Sequence, residues 1–229
     1  MKTIGLIGGM SYKSTLEYYR IINQETNRIL GKSNSGKILL YSFNFNELEP
    51  LFKTKNWQAI TKKIIDIAFK LEVAGADCIL LLSNTTHIIA SEVEKAINVR
   101  LIHIVKSVEK ELKQNKIKKV ALLGTKYTLE SNLYKNNLPQ DIKIIKPSNE
   151  QINYINKVIY NELILGEFRE NSRNEFKKII TELKSKGAEG VILGCTEISL
   201  LIKPNDICIP VFDSTKIHAL DAVKYMLHD

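Results

Sequence analysis

The sequence predicts an α/β protein of two pseudo-symmetric lobes, each a parallel sheet flanked by helices, and three observations carry that prediction. Gly75-Ala76-Asp77-Cys78-Ile79-Leu80-Leu81-Leu82-Ser83-Asn84-Thr85 aligns without a gap on Gly187-Ala188-Glu189-Gly190-Val191-Ile192-Leu193-Gly194-Cys195-Thr196-Glu197, at a constant offset of 112. A second echo sets Ile4-Gly5-Leu6-Ile7-Gly8-Gly9 against Val120-Ala121-Leu122-Leu123-Gly124-Thr125, at an offset of 116. Short apolar, β-branched runs also alternate with stretches of helical periodicity. That alternation is the mark of parallel strands joined by right-handed crossovers.

The elements follow in order. A strand over Thr3–Gly8 leads into glycines, and Ser14–Leu30 follows as a helix with Leu16, Tyr19, Ile22 and Ile29 as its apolar positions. A strand at Lys37–Tyr41 precedes the strongest helical stripe of the chain, Asn56–Val73, which carries Ile60, Ile64, Ile67, Ala68 and Leu71 on one side. Cys78–Leu82 is the first copy of the repeated apolar strand, and a helix at His87–Ile97 leaves its carboxyl end. Leu101–Ile104 is a strand and Val105–Asn115 a helix. The second half repeats this grammar: strand Lys119–Gly124, helix Leu129–Asn136, strand Ile142–Ile145 and helices Glu150–Leu165 and Ser172–Ser185. Strand Gly190–Gly194, strand Ile207–Val211 and helix Thr215–Leu227 complete it.

At 229 residues the chain accommodates two lobes of about 100 residues each. No Pro- or Ser-rich linker and no low-complexity segment interrupts it, so the boundary is a hinge near Asn98–Leu101. Residues 1–98 plus 210–229 form the first lobe and 99–209 the second, with the last helix returning to the first. No run approaches the ~18 apolar residues of a membrane span. The opening residues read as a strand rather than a signal peptide. Three cysteines without paired spacing make neither a disulfide framework nor a zinc site, which fits a reduced, cytoplasmic protein. The net charge of +8 comes mostly from 28 lysines scattered along helices, with no aromatic residues interleaved for base stacking. Nucleic acid is therefore not the expected partner, and attraction of small anions is.

The repeat sets Ser83 opposite Cys195. Each follows a buried strand at its carboxyl end, where α/β sheets hold their ligands. Two lobes facing each other would present these residues to one substrate carbon from opposite sides. Four strand-to-helix junctions, Gly8-Gly9-Met10-Ser11, Ser83-Asn84-Thr85, Gly124-Thr125-Lys126-Tyr127-Thr128 and Cys195-Thr196-Glu197, offer N–H and hydroxyl groups suited to a carboxylate. The same residue types also serve as ordinary helix caps. Cys195 is the candidate base, with a helix start expected to lower its pKa. Cys78 and Cys208 read as inert buried thiols. Ser83 is a poor base without an activating neighbour and a better proton donor. His87, four residues on, is either a turn away from it or simply part of the first helical turn. The dinucleotide and phosphate-loop patterns are absent, and so is a nucleophile elbow.

Taken together, Gly8-Gly9-Met10-Ser11, Ser83-Asn84-Thr85-Thr86-His87, Gly124-Thr125-Lys126-Tyr127-Thr128, Gly194-Cys195-Thr196-Glu197-Ile198 and Val211-Phe212-Asp213 resemble the aspartate/glutamate racemase family from end to end. The resemblance implies two Rossmann-like lobes, a homodimer and racemisation of a small amino acid without pyridoxal phosphate, metal or nucleotide. It puts the two proton carriers on Ser83 and Cys195, and the groups that hold the substrate on Met10, Asn84, Thr85, Thr125, Thr128 and Thr196. The chain departs from the two-cysteine pattern at Ser83. It looks most like the subgroup acting on L-aspartate and L-glutamate, which has a hydroxyl there. One thiol and one hydroxyl imply unequal rates in the two directions, biased toward L-enantiomers. The counterparts of the groups that meet the distal carboxylate in strict aspartate racemases are Phe52, with Lys53 beside it, and Glu162. These do not favour a second carboxylate unless Lys53 or Arg20 swings in, which leaves a broader or different amino acid open. Two other functions fit the same scaffold: a single-cysteine decarboxylase or cis–trans isomerase of diacids, and a weakened amino-acid-binding protein.

Overall fold

The computed structural model describes residues 1–228, and its strands form two four-stranded, all-parallel sheets of the same permuted order. Strands β1 (Ile4–Gly8), β2 (Ile38–Ser42), β3 (Cys78–Leu81) and β4 (Arg100–Leu101) stand in the order β2-β1-β3-β4. Strands β5 (Lys119–Gly124), β6 (Lys143–Ile145), β7 (Gly190–Gly194) and β8 (Val211–Asp213) stand in the order β6-β5-β7-β8.

The sequence repeat is a structural repeat down to its register. Ile4 pairs with Cys78 across β1 and β3, and Val120 pairs with Gly190 across β5 and β7, so the two offsets read in the sequence recur as one pairing. The entry to the repeated strand is copied as well. Gly75 and Gly187 both have φ +96° at the end of a helix, a left-handed conformation open to glycine. The next residues, Ala76 and Ala188, each donate their N–H to a carbonyl of that helix at 3.0 Å. Asp77 then accepts a bond from the Thr3 N–H at 2.6 Å, as Glu189 does from the Lys118 N–H at 2.6 Å.

The chain divides into two compact units, Met1–Ile104 together with the residues from His218 on, and Val105–Ile217. The boundaries expected at 98/99 and 209/210 are therefore displaced. β4 pairs with β3 and keeps residues 100–101 in the first unit, while β8 pairs with β7 and keeps residues 211–213 in the second.

Alternation along the first unit's strands buries both sheet faces. Ile7, Ile79 and Leu81 join a core with α2 (Phe45–Lys53), α3 (Trp57–Val73) and α4 (Ala90–Ala96). Ile4, Leu6, Cys78 and Leu80 join another with α1 (Tyr12–Leu30) and Ala219, Ala222, Val223 and Met226 of the last helix. The expected stripe of α3 is buried in full. That of α1 is not: Leu16 is 61% and Tyr19 50% exposed, and the inward positions are Ser14, Thr15, Tyr18, Ile21, Ile22 and Thr26. Hydroxyls fill much of this buried face because they bond backward along the helix, Thr26 Oγ1 to the Ile22 carbonyl at 2.7 Å and Thr15 Oγ1 to the Ser11 carbonyl at 3.0 Å. Helix α2, with Pro50 inside it, has no counterpart in the sequence reading.

In the second unit Ala121, Leu123, Val191 and Leu193 pack against α8 (Asn149–Val158), α9 (Glu170–Ser185) and α10 (Thr196–Leu201). α5 (Ile104–Gln114), α6 (Lys126–Glu130), α7 (Leu133–Asn137) and α11 (Ser214–His228) complete the helices. The strand expected at Ile207–Val211 begins only at Val211, after Pro210, whose nitrogen has no hydrogen for a ladder. No helix among the described residues is long and apolar enough to cross a membrane.

Candidate active site

In the first unit β1 and β3 are neighbours, so their carboxyl ends bring two of the expected junctions together. Gly9, at φ +83°, makes the turn after β1, and its N–H donates to Thr15 Oγ1 at 2.9 Å. A Cβ there would lie 2.1 Å from the Phe43 carbonyl oxygen, so only glycine fits. Met10 turns its side chain into the core with Phe43 and Phe52. Ser83 follows β3 and is partly exposed, with Asn84 buried and Thr85 partly exposed in the turn beyond it. The Asn84 side chain does not cap the 3-10 turn Thr85–Ile89.

The Ser83 carbonyl oxygen accepts two bonds, from Thr86 Oγ1 at 2.9 Å and from His87 Nδ1 at 2.8 Å. His87 thus reaches the main chain of Ser83 rather than its hydroxyl and does not activate it as a nucleophile.

In the second unit β5 and β7 are neighbours and bring together the other two junctions. Thr125 caps α6, accepting from the Thr128 N–H at 3.3 Å, and the two hydroxyls are 3.1 Å apart. Thr196, buried, accepts a hydrogen bond from Thr215 Oγ1 at 3.1 Å. Hydroxyls expected from the sequence to hold a ligand are here engaged in capping and in bonds to other hydroxyls.

Cys195 lies at the start of α10 in extended conformation, φ −152° and ψ 131°, partly exposed. Its Sγ–H donates to Glu197 Oε2 at 3.0 Å. Burial, and then the charge of Glu197, push this thiol well above its usual pKa. The N–H groups of Glu197 and Ile198 pull it down by less. The helix start was expected to dominate, but burial, together with the carboxylate two residues on, outweighs it. Glu197 is 4% exposed, and its Oε1 has no hydrogen-bond partner among the described residues.

The other cysteines divide. Cys78 is buried and pushed up to about 12, while Cys208 is exposed rather than buried, its sulfur 3.4 Å from Lys184 Nζ. The groups considered for a distal carboxylate are engaged elsewhere. Phe52 is core, Lys53 pairs with Glu49 at 2.9 Å, Arg20 Nε bonds Glu17 at 2.8 Å, and Glu162 accepts from Ser172 Oγ at 2.6 Å.

The sequence reading missed the roles of Glu197 and Thr215. The spacing Cys-x-Glu was the available signal for Glu197, whereas Thr215 comes into place only through β8. Among the described residues no group of three or more His, Cys, Asp or Glu is placed to hold a metal ion.

Ser83 and Cys195 thus hold equivalent places beyond the carboxyl ends of β3 and β7, each within its own unit. The family model described as Asp/Glu/hydantoin racemase matches residues 7–222. The chain is 42% identical to a putative Asp/Glu racemase from Yersinia pestis, with all of each chain covered and a TM-score of 0.93. It is 33% identical to an aspartate racemase homologue from Pyrococcus horikoshii OT3, with 99% of each covered and a TM-score of 0.87. It is 27% identical to a broad-specificity amino-acid racemase of Bacillus subtilis (strain 168), with 98% of each covered.

Proposed function

The chain belongs to the Asp/Glu/hydantoin racemase family, and from that premise we propose that it racemises an acidic or related amino acid by moving the Cα proton between Cys195 and Ser83. One observation carries the assignment of these two residues. They stand at matching positions after β3 and β7, in sheets that share strand order and register.

The thiol begins protonated, because burial and Glu197 disfavour the thiolate. Its proton passes along the existing bond to Glu197 Oε2, and the thiolate then takes the hydrogen from Cα. The substrate's electron pair is left on Cα and delocalised into its α-carboxylate. Ser83 gives its hydroxyl proton to the opposite face, and the proton held by Glu197 returns through solvent to the Ser83 alkoxide, which restores Cys195–SH, the Glu197 carboxylate and the Ser83 hydroxyl. The substrate ammonium is assigned to Glu197 Oε1, a buried acceptor with no bond within the chain. N–H groups of the junctions at Met10, Asn84 and Thr85, with the hydroxyls of Thr125, Thr128 and Thr196, hold the α-carboxylate.

Removal of the proton from the enantiomer that faces Cys195 is the faster abstraction, since a hydroxyl is the weaker base. Solvent exchange at Cα is therefore faster for that enantiomer, which we assign to L-substrates, while the equal energies of the two enantiomers keep kcat/KM for inversion the same in both directions. With no free cation at the positions considered for a distal carboxylate, a substrate range broader than aspartate and glutamate fits this reading.

Incubation of L- and D-aspartate, L- and D-glutamate and a panel of neutral amino acids in D2O, followed by NMR at Cα, tests the proposal. Deuterium at Cα with inverted product is the expected outcome. Absence of exchange with every amino acid contradicts it, and CO2 release from a substituted malonate would favour the decarboxylase chemistry of the same scaffold.

A further inference from the structure

Behind the Ser83 turn, three of the chain's four histidines pack together, a grouping that proton transfer at Cα does not itself require. The His87 ring centroid lies 4.8 Å from that of His103 and 5.5 Å from that of His218, edge to face in both cases. His87 comes from the turn after β3, His103 from the connection between β4 and α5, and His218 from α11. His87 and His218 are almost wholly buried.

Their hydrogen bonds fix which nitrogen carries the proton. The Ile104 N–H donates to His87 Nε2 at 3.1 Å, so Nε2 is an acceptor and Nδ1–H is the group that donates to the Ser83 carbonyl at 2.8 Å. His218 is the opposite tautomer. Its Nε2–H donates to the Ile102 carbonyl at 2.7 Å, and its Nδ1 accepts from the Tyr18 hydroxyl at 2.9 Å. Both rings are neutral, and a second proton on His87 would meet the Ile104 donor head-on. Burial, reinforced by the neighbouring rings, also holds both below the usual histidine range.

The pseudo-symmetry of the two units separates this cluster from the demands of the fold. At the offset of 112 the second copy has Ser199 in place of His87. The pairing of Ile79 with Leu101 and of Val191 with Val211 sets an offset of 110 for the segments after β4 and β8. It puts Asp213 opposite His103, and Val108 opposite His218. The same sheet is therefore built without any imidazole in the unit that carries the thiol. Only the unit that carries the hydroxyl has the clamp.

We propose that His87 is a positioning residue for Ser83, tying the Ser83 carbonyl to the start of α5 so that the hydroxyl is aimed at the substrate carbon. His87 touches no reacting atom. With Thr86 Oγ1 on the same carbonyl, and the His87 N–H on the Asn84 carbonyl at 3.0 Å, it fixes the backbone rotation that directs the Ser83 side chain. A weak proton donor tolerates misalignment poorly, because transfer needs hydrogen-bond distance and direction. The inference rests on the reading of Ser83 as the second proton carrier.

The test compares His87→Leu, which can make neither bond, with His87→Gln, whose amide can donate to the Ser83 carbonyl and accept from Ile104. In D2O the readout is the ratio of deuterated product of inverted configuration to deuterated substrate of retained configuration. His87→Leu is expected to lower that ratio about tenfold, while retained-configuration exchange, which needs only Cys195, changes by less than about threefold. His87→Gln is expected to restore the ratio. An unchanged ratio, or a parallel fall in both products as a merely structural role would give, overturns the proposal. Should His87→Leu fail to fold, imidazole 15N shifts of the wild-type protein decide: a neutral Nδ1–H form of His87 across about pH 5 to 8 is required, and the other tautomer or a titrating ring refutes the clamp. Wild-type protein that exchanges no amino acid would sink the racemase assignment itself, and the 15N shifts would still judge the clamp.

Discussion

Cys195 Sγ and Glu197 Oε2 share a hydrogen at 3.0 Å, and this pair makes the thiol a reservoir of a proton rather than a standing thiolate. A bare carboxylate beside a sulfur raises the cost of the sulfur's own negative charge. The thiol becomes basic only when its proton is handed to that carboxylate.

Replacing Glu197 by Gln removes the charge and leaves the shape. The Cys195 pKa should fall, and alkylation of this cysteine near neutral pH should accelerate by about tenfold for each unit of that fall. Racemase turnover should drop at the same time, because the proton has lost its acceptor. Iodoacetamide labelling followed by peptide mass mapping, which separates Cys195 from exposed Cys208, checks this. Slower labelling in the variant would contradict the assignment.

Ser83→Cys restores a thiol at the weaker of the two positions. Inversion should gain at least about tenfold, or about 1.4 kcal/mol of barrier, in both directions alike, with retained-configuration exchange at the Cys195 face little altered. Initial rates from each enantiomer, measured by chiral chromatography, give the comparison. A uniform loss in both directions would speak against Ser83 as a proton carrier.

The buried His218 links stability to pH. Burial depresses its pKa from 6.5 to about 4, so the unfolded chain takes up a proton that the native protein refuses. Its contribution, about 3 kcal/mol, is complete above pH 6.5 and disappears as the pH falls toward 4. Urea midpoints between pH 7 and 4 should therefore decline, and less steeply in His218→Gln, which cannot titrate. Equal slopes for the two proteins would show that the cluster does not store this energy.

Gly9→Ala would set a methyl group against the Phe43 backbone in a left-handed conformation. We expect a loss of at least about 2 kcal/mol and a lower melting temperature, with the turn before Met10 displaced. A variant as stable and active as the parent would mean that this turn is not rigid.

Much of this was legible in the sequence because the duplication preserved its spacing. The gapless match of Gly75–Thr85 with Gly187–Glu197 foretold the two copied strands, and with them the equivalent placement of Ser83 and Cys195. Elements whose buried faces are made of hydroxyls were harder to read. Ser14, Thr15 and Thr26 hide their polarity in local bonds, so Leu16 and Tyr19 looked like core when they face solvent. Pro50 concealed α2, and Pro210 delayed β8 past the apolar run that seemed to begin it. The electrostatics of Cys195 depart from what a helix start alone implies because burial, and then the carboxylate of Glu197, outweigh it. The histidine cluster was invisible because its members are 16 and 115 residues apart and meet only through β4 and α11.

If two different side chains serve the two faces of one carbon, deuterium incorporation by the single variants Ser83→Ala and Cys195→Ala separates their parts. Ser83→Ala should still place deuterium at Cα of one enantiomer, with configuration retained, while inversion disappears; Cys195→Ala should lose that exchange. Inversion at the wild-type rate in Ser83→Ala would show that Ser83 does not carry the second proton.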